Sequence, residues 1–177
     1  VQLVGSLGDW LGFLAIAAAA TELGGGTPET AVGFVFTARI IPGLFLAPLA
    51  GVLVDRWNRK KVMILCDLGR VAILLLLPFA STVWHLVLAS FALEIFTLLW
   101  IPAKDSVVPS IVPEESLTTV NSLQMAATYG TVPIAASLFI FLGRFADKVE
   151  TWPGAGSINA DQIGLGFYAD SVTFLFS

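Results

Sequence analysis

Gly51-Val52-Leu53-Val54-Asp55-Arg56-Trp57-Asn58-Arg59-Lys60-Lys61 packs four cations and one carboxylate between two apolar runs, about 31–54 and about 62–80. Each run holds the roughly 20 predominantly apolar residues that cross a bilayer as a helix. The charged stretch therefore reads as a tight turn at a membrane surface. The pattern repeats along the chain. Apolar runs cover about 3–21, 31–54, 62–80, 83–103 and 119–143, and a sixth starts near 165. Short polar connectors separate them, at 22–30, 55–61, 81–82, 104–118 and 144–164. Apolar residues make up 56% of the 177 and charged residues 12%, against about 25% charged in soluble domains. Mean hydropathy is +0.87. So few charges do not cover the surface of a soluble domain, so lipid is the expected solvent and an all-α integral membrane protein the expected fold. No basic stretch is interleaved with aromatics, which leaves nucleic-acid binding without support.

Cations are spread unequally over the connectors. Those after the second and fourth runs carry Arg56, Arg59, Lys60, Lys61 and Lys104, whereas the other three carry only Arg144 and Lys148. Lys and Arg accumulate on the cytoplasmic side, so the expectation is a multi-pass protein of the plasma (inner) membrane with its N-terminus in the cytoplasm. Pro42, Gly43, Pro48 and Gly51 in the second run, and Gly130 and Pro133 in the fifth, are used as membrane helices use them. Close packing and a flexible hinge are both open readings. The five tryptophans, Trp10, Trp57, Trp84, Trp100 and Trp152, stand mostly near run ends and read as lipid-facing or interfacial.

The 51–61 stretch closely resembles the glycine–aspartate–arginine–basic signature between the second and third helices of major facilitator superfamily transporters. Gly51, Asp55, Arg56, Arg59 and Lys60 fall on its positions, and Asn58 stands where the family usually has glycine. Asn tolerates left-handed backbone better than most residues, so the turn is expected to survive. In that setting Gly51 permits close helix contact, and Asp55 caps a helix or pairs with a cation. Gly5-Ser6-Leu7-Gly8-Asp9-Trp10, Ile101-Pro102-Ala103-Lys104-Asp105 with 108–113, and Tyr168-Ala169-Asp170-Ser171-Val172-Thr173-Phe174 resemble segments of bacterial drug-efflux-like members. Two departures stand out. The fourth run has Glu94 rather than an arginine motif, and the fifth has Gly130-Thr131-Val132-Pro133 rather than the fuller antiporter signature. The resemblance implies helices 1 to about 6 of a major facilitator bundle, the N-terminal transmembrane half of a twelve-helix transporter. Its partners would be the lipid bilayer, a small-molecule substrate, protons and a C-terminal half outside this sequence. Val1 at the start, and an end inside an apolar run, read as a fragment of a longer chain.

Charges inside membrane spans are costly, about 2.5–3.5 kcal/mol each on insertion scales, so each marks a pairing or a pathway. They are Asp9, Arg39, Asp67, Arg70 and Glu94, with Asp170 near the outer edge. Asp67 and Arg70 are spaced for mutual neutralisation on one helix face. Arg70 and Glu94 lie almost equally far from the 81–82 turn, so Arg70 is expected to pair with Asp67, Glu94 or both. Asp9 has no partner nearby in sequence, and reversible protonation and a fixed hydrogen bond are both open for it.

Enzyme readings have little to rest on. His85 is the only histidine, at the start of the fourth run, where an interfacial anchor is expected. No zinc-protease, phosphate-loop or serine–histidine pattern occurs. The single Cys66 provides neither a disulfide nor a thiolate metal cluster, and no cofactor is expected. The expected function is ion-gradient-driven export of a small amphipathic or lipophilic solute by alternating access. A lipid flippase-like transporter and a non-transporting membrane scaffold are the alternatives.

Overall fold

A computed structural model describes residues 2–108, 112–149, 159 and 161–176. Trp152, the 109–111 part of the fourth connector, and 150–158 and 160 of the fifth lie outside the described residues, as does the side chain of Asp55. Among the described residues seven α-helices follow one another: α1 Gln2–Leu23, α2 Pro28–Asp55, α3 Arg59–Leu76, α4 Val83–Asp105, α5 Leu117–Gly130, α6 Val132–Val149 and α7 Gln162–Leu175. No strand occurs among the described residues. Among the described residues five stretches are long and apolar enough to cross a bilayer: Leu3–Leu23, Pro28–Val54, Arg59–Phe79, Val83–Asp105 and Leu117–Ala146. The last joins α5 and α6 across Thr131, whose hydroxyl donates to the Thr128 carbonyl at 2.9 Å. Pro133 follows at the second position of α6, where its missing N–H removes no helical bond.

Helix ends overrun several polar connectors. Glu22 belongs to α1, Lys104 to α4, and Arg144 and Lys148 to α6. Charged residues continue a helix into the headgroup zone because backbone hydrogen bonding still favours it there. The turn after α2 differs from expectation at Asn58. This residue is extended (φ −70°, ψ 108°) and caps α3 by accepting from the Lys61 amide at 3.2 Å. Its short amide side chain satisfies an orphan N–H of the first turn, so no left-handed residue is required. His85 accepts from the Ser81 amide at 3.3 Å and ties down the short turn before α4. Arg59 donates to the Ser106 carbonyl at 3.4 Å, which brings the start of α3 to the end of α4. At the opposite end Asn159 donates to the Pro78 carbonyl at 2.6 Å. Alternate connectors thus meet at alternate ends of the bundle.

The centre is α1, which packs against α2, α4, α5, α6 and α7. The helix α2 runs along α4, and α3 lies against both α4 and α7. Ala15, Ile16, Ala19 and Ala20 of α1 meet Ala31 and Val35 of α2, and Phe167 and Phe174 of α7 complete this core with Leu74, Leu86 and Leu93. Lipid tails are as apolar as leucine, so association here rests on close packing, which small side chains permit. Glycines follow the same logic at unexpected places. Gly43 and Gly51 have no atom within 4 Å of where a Cβ would stand. Their helix presents Leu44, Phe45 and Leu49 outward, away from the described bundle. Tight contacts between helices occur instead at Gly8 and Gly12 against α7, at Gly69 against the Phe96 ring and at Gly143 against Gln162.

Candidate functional site

Five helices bring their charged residues to one region of the bundle. Asp9 comes from α1, Arg39 from α2, Asp67 and Arg70 from α3, Glu94 from α4 and Asp170 from α7. Two cations therefore face four carboxylates. Arg70 is 3% exposed. Its Nη1 lies 3.8 Å from Asp67 Oδ1, and the guanidinium stands over the rings of Phe174 at 4.9 Å and Trp100 at 5.5 Å. Trp100 donates its indole N–H to Asp67 Oδ2 at 3.3 Å. Asp67 is thereby held from two sides, while Asp67 Oδ1 and Arg70 Nε have no hydrogen-bond partner among the described residues.

Glu94 departs from expectation. Its ion-pair partner is Arg39, with Nε to Oε2 at 3.8 Å. Equal distance from a turn fixes depth but not the direction in which a helix face points, and the long packing of α2 along α4 turns Glu94 toward α2. The pair is about one-fifth exposed on each side chain, because it opens on a cavity.

That cavity has a volume of about 590 Å³. Trp10, Phe13 and Phe36 form its aromatic wall, and Asp9, Arg39 and Glu94 supply its charge. The Phe13 and Phe36 rings stack with centroids 5.2 Å apart and 2° between planes. Trp10 meets Phe13 edge-on at 5.8 Å, and Arg39 stands 5.5 Å over the Phe13 ring. The Trp10 indole donates to the Thr128 carbonyl at 2.9 Å, tying α1 to α5 just before the Thr131 break. Asp9 is exposed to the cavity and forms no ion pair within 4 Å among the described residues, with Arg70 and Arg39 in electrostatic reach.

Trp10 and Trp100 thus point inward, contrary to the interfacial reading. Each has a half-buried polar partner, the Thr128 carbonyl and the Asp67 carboxylate, that lipid does not offer. Trp57 and Trp84 are exposed. Asp170 is 3% exposed and lies against Gly8 and Gly12 of α1, well inside the bundle rather than near its edge. The signal for it was the Gly8–Gly12 spacing, which opens a groove on α1 at one-turn intervals. Of the loop-motif residues, Asp55 closes α2, Asn58 caps α3, and Arg56, Arg59 and Lys60 are exposed. Gly51, Arg56, Asn58, Arg59 and Lys60 do not line the cavity.

The Major Facilitator Superfamily profile matches residues 1–167. The MFS-type transporter YfiS of Bacillus subtilis is 30% identical over 113 residues, which is 64% of this chain and 27% of YfiS. Macrolide efflux protein A of Enterococcus faecalis is 35% identical over 108 residues, 56% of this chain and 33% of that protein. An MFS-type transporter of Mycobacterium tuberculosis is 32% identical over 120 residues, 65% of this chain and 27% of its own length. The matches thus span a third or less of these relatives. No solved structure gives a significant match. With five stretches long and apolar enough to cross a membrane and a family match over nearly its whole length, the chain is a multi-pass membrane protein that belongs to the major facilitator superfamily.

Proposed function

We propose that residues 1–177 form the N-terminal half of a plasma-membrane exporter that expels small amphipathic or lipophilic solutes in exchange for protons. The observation that carries this reading is the 590 Å³ cavity. Its size suits a small molecule, and an aromatic wall with Asp9, Arg39 and Glu94 at one side suits a solute with one large apolar face and few polar groups. The name of the Enterococcus faecalis relative, a macrolide efflux protein, supports export. Proton coupling follows from the charge balance. Two cations against four carboxylates is a poor state for a site that closes off from water, and protons are the smallest charges that correct it. Asp9 is the carboxylate best placed to take up a proton in an open state, because it faces the cavity without a direct ion pair. A C-terminal half would close the open side of the cavity, and rocking of one half against the other would alternate access.

Transport in proteoliposomes tests this. The full-length protein is reconstituted and loaded with a radiolabelled macrolide or a lipophilic dye, with a pH or sodium gradient imposed. Uphill movement driven by the pH gradient alone is expected. Asp9→Asn should abolish uphill movement, a loss of at least about tenfold, while solute exchange at equal pH persists. Movement of fluorescent lipid but of neither solute would overturn the export reading, and so would the absence of any gradient-driven flux. Full uphill transport by Asp9→Asn would remove Asp9 as the coupling carboxylate.

Orientation is tested separately. The positive-inside distribution puts the 55–61 turn in the cytoplasm. A cysteine introduced at Asn58 should react with an impermeant thiol reagent only from the cytoplasmic face, and one at Ser81 only from outside. Cys66 is buried and should stay silent. Labelling of both sites from one face would overturn the topology.

A further inference from the structure

Glycines on α1 decide how near Asp170 comes to Asp9. A Cβ on Gly12 would fall on the Asp170 carboxylate, and one on Gly8 would fall on the Thr173 hydroxyl beside Asp170 Oδ1. The carboxyl of Asp170 therefore rests on the backbone of α1 within a helical turn of Asp9. The hydroxyl of Thr173 donates to the Asp170 carbonyl at 2.7 Å and, at 3.5 Å, to Oδ1, so Oδ2 is the carboxyl oxygen left for another partner. A second, narrow cavity of about 20 Å³ is lined by Asp9, Gly12, Arg39, Arg70, Asp170 and Phe174, among others. About 10–15 Å³ holds one water, provided two to four polar partners surround it. They are present. Asp9 and Asp170 offer acceptors, and the buried Arg70 Nε–H has no acceptor among the described residues.

We propose that Asp9 and Asp170 are a proton-exchanging pair, in which a single water held by Arg70 Nε–H in the narrow cavity carries a proton between the buried Asp170 and the open Asp9. The inference rests on the coupling role proposed above for Asp9, and adds the partner and the route. The step balances. As the O–H bond of the Asp170 acid breaks, its proton passes to the water, which gives one of its own hydrogens to the Asp9 carboxylate. The water is regenerated, one positive charge has moved, and no other reactant is consumed. The charged groups around the pair are Arg39 on α2, Asp67 and Arg70 on α3, and Glu94 on α4, and among the described residues none of α5 or α6 lines the narrow cavity. Like charges held this close repel, and one shared proton relieves the repulsion. Asp9 alone opens on the large cavity, so it is the port, and Asp170 is the store.

Infrared titration of the purified full-length protein in detergent reads this without any transported solute. Carboxylic-acid C=O bands are followed across pH in wild type, Asp9→Asn and Asp170→Asn. Asp9→Asn should remove one band and make Asp170 bind its proton about tenfold more weakly, as coupled sites do. Asp170→Asn should act reciprocally on Asp9. The first measurement leaves α7 unaltered, so it stands even where Asp170→Asn does not fold. An Asp170 band with the same midpoint in wild type and Asp9→Asn would overturn the pair, as would the absence of any Asp170 band. Coupled bands without uphill transport would sink the export reading and keep the pair. Proton-driven transport with uncoupled bands would do the reverse.

Discussion

Arg70→Met is expected to destabilise the protein by about 3–5 kcal/mol, the range for removing one partner of a buried ion pair. Methionine reproduces much of the stem that fills the space between Trp100 and Phe174, so the loss reports the charge rather than a hole. What remains is Asp67, with Oδ1 buried and unbonded and only the Trp100 indole donating to Oδ2. The double variant Asp67→Leu/Arg70→Met should recover most of the loss, because apolar replacement of a whole buried pair is often close to neutral. Denaturant unfolding in mixed micelles, with the full-length protein, measures both. A single variant within about 1 kcal/mol of wild type would mean that water or lipid headgroups reach Asp67 and that the pair is not dry.

Gly12→Ala and Gly33→Ala should move stability in opposite directions. At Gly12 the new methyl lands on the Asp170 carboxylate, and that side chain has no room to slide along α1 because the Thr173 hydroxyl occupies the place beside Gly8. The two helices must separate, at a cost of about 1–3 kcal/mol for overpacking, and uphill transport should fall with it. At Gly33 nothing lies within 4 Å, and exchanging helical glycine for alanine should stabilise by about 0.5–1 kcal/mol. Thermal unfolding of the two variants side by side decides the matter. Equal behaviour would mean that α7 does not seat against α1 as described.

The membrane helices and the charged turn at 55–61 were legible because lipid imposes a length and a composition on any segment that crosses it, whatever its neighbours. The Asp67–Arg70 contact was legible for a similar reason, since both residues lie on one helix and spacing alone sets their proximity. Legibility ends where azimuth matters. Glu94 stands at the same depth as Arg70, yet α4 turns it toward Arg39, and only the packing of α2 on α4 determines that. Trp10 and Trp100 sit at positions where tryptophan commonly meets lipid, but each finds a half-buried acceptor inside. Asp170 was misplaced because distance along α7 gives its height only relative to α7, while the glycine groove on α1 admits it to the interior. Asn58 was recognised as a turn residue for its tolerance of left-handed backbone, and it serves instead through its side-chain oxygen.

Between Ser6 and Phe13, α1 is spoken for on two sides at once. Asp9, Trp10 and Phe13 look into the large cavity, while Gly8 and Gly12 receive α7. In a helix of 3.6 residues per turn, one inserted or deleted residue rotates everything beyond it by about 100°. Such a change between Gly8 and Gly12 would turn Phe13 out of the cavity and set a bulky side chain against Asp170, with the composition of the segment almost unaltered. Substitution at single sites is therefore the gentler form of change for this segment. Homologous sequences that keep the same architecture should show no length variation here, even where their cavity-lining residues have diverged to suit other solutes.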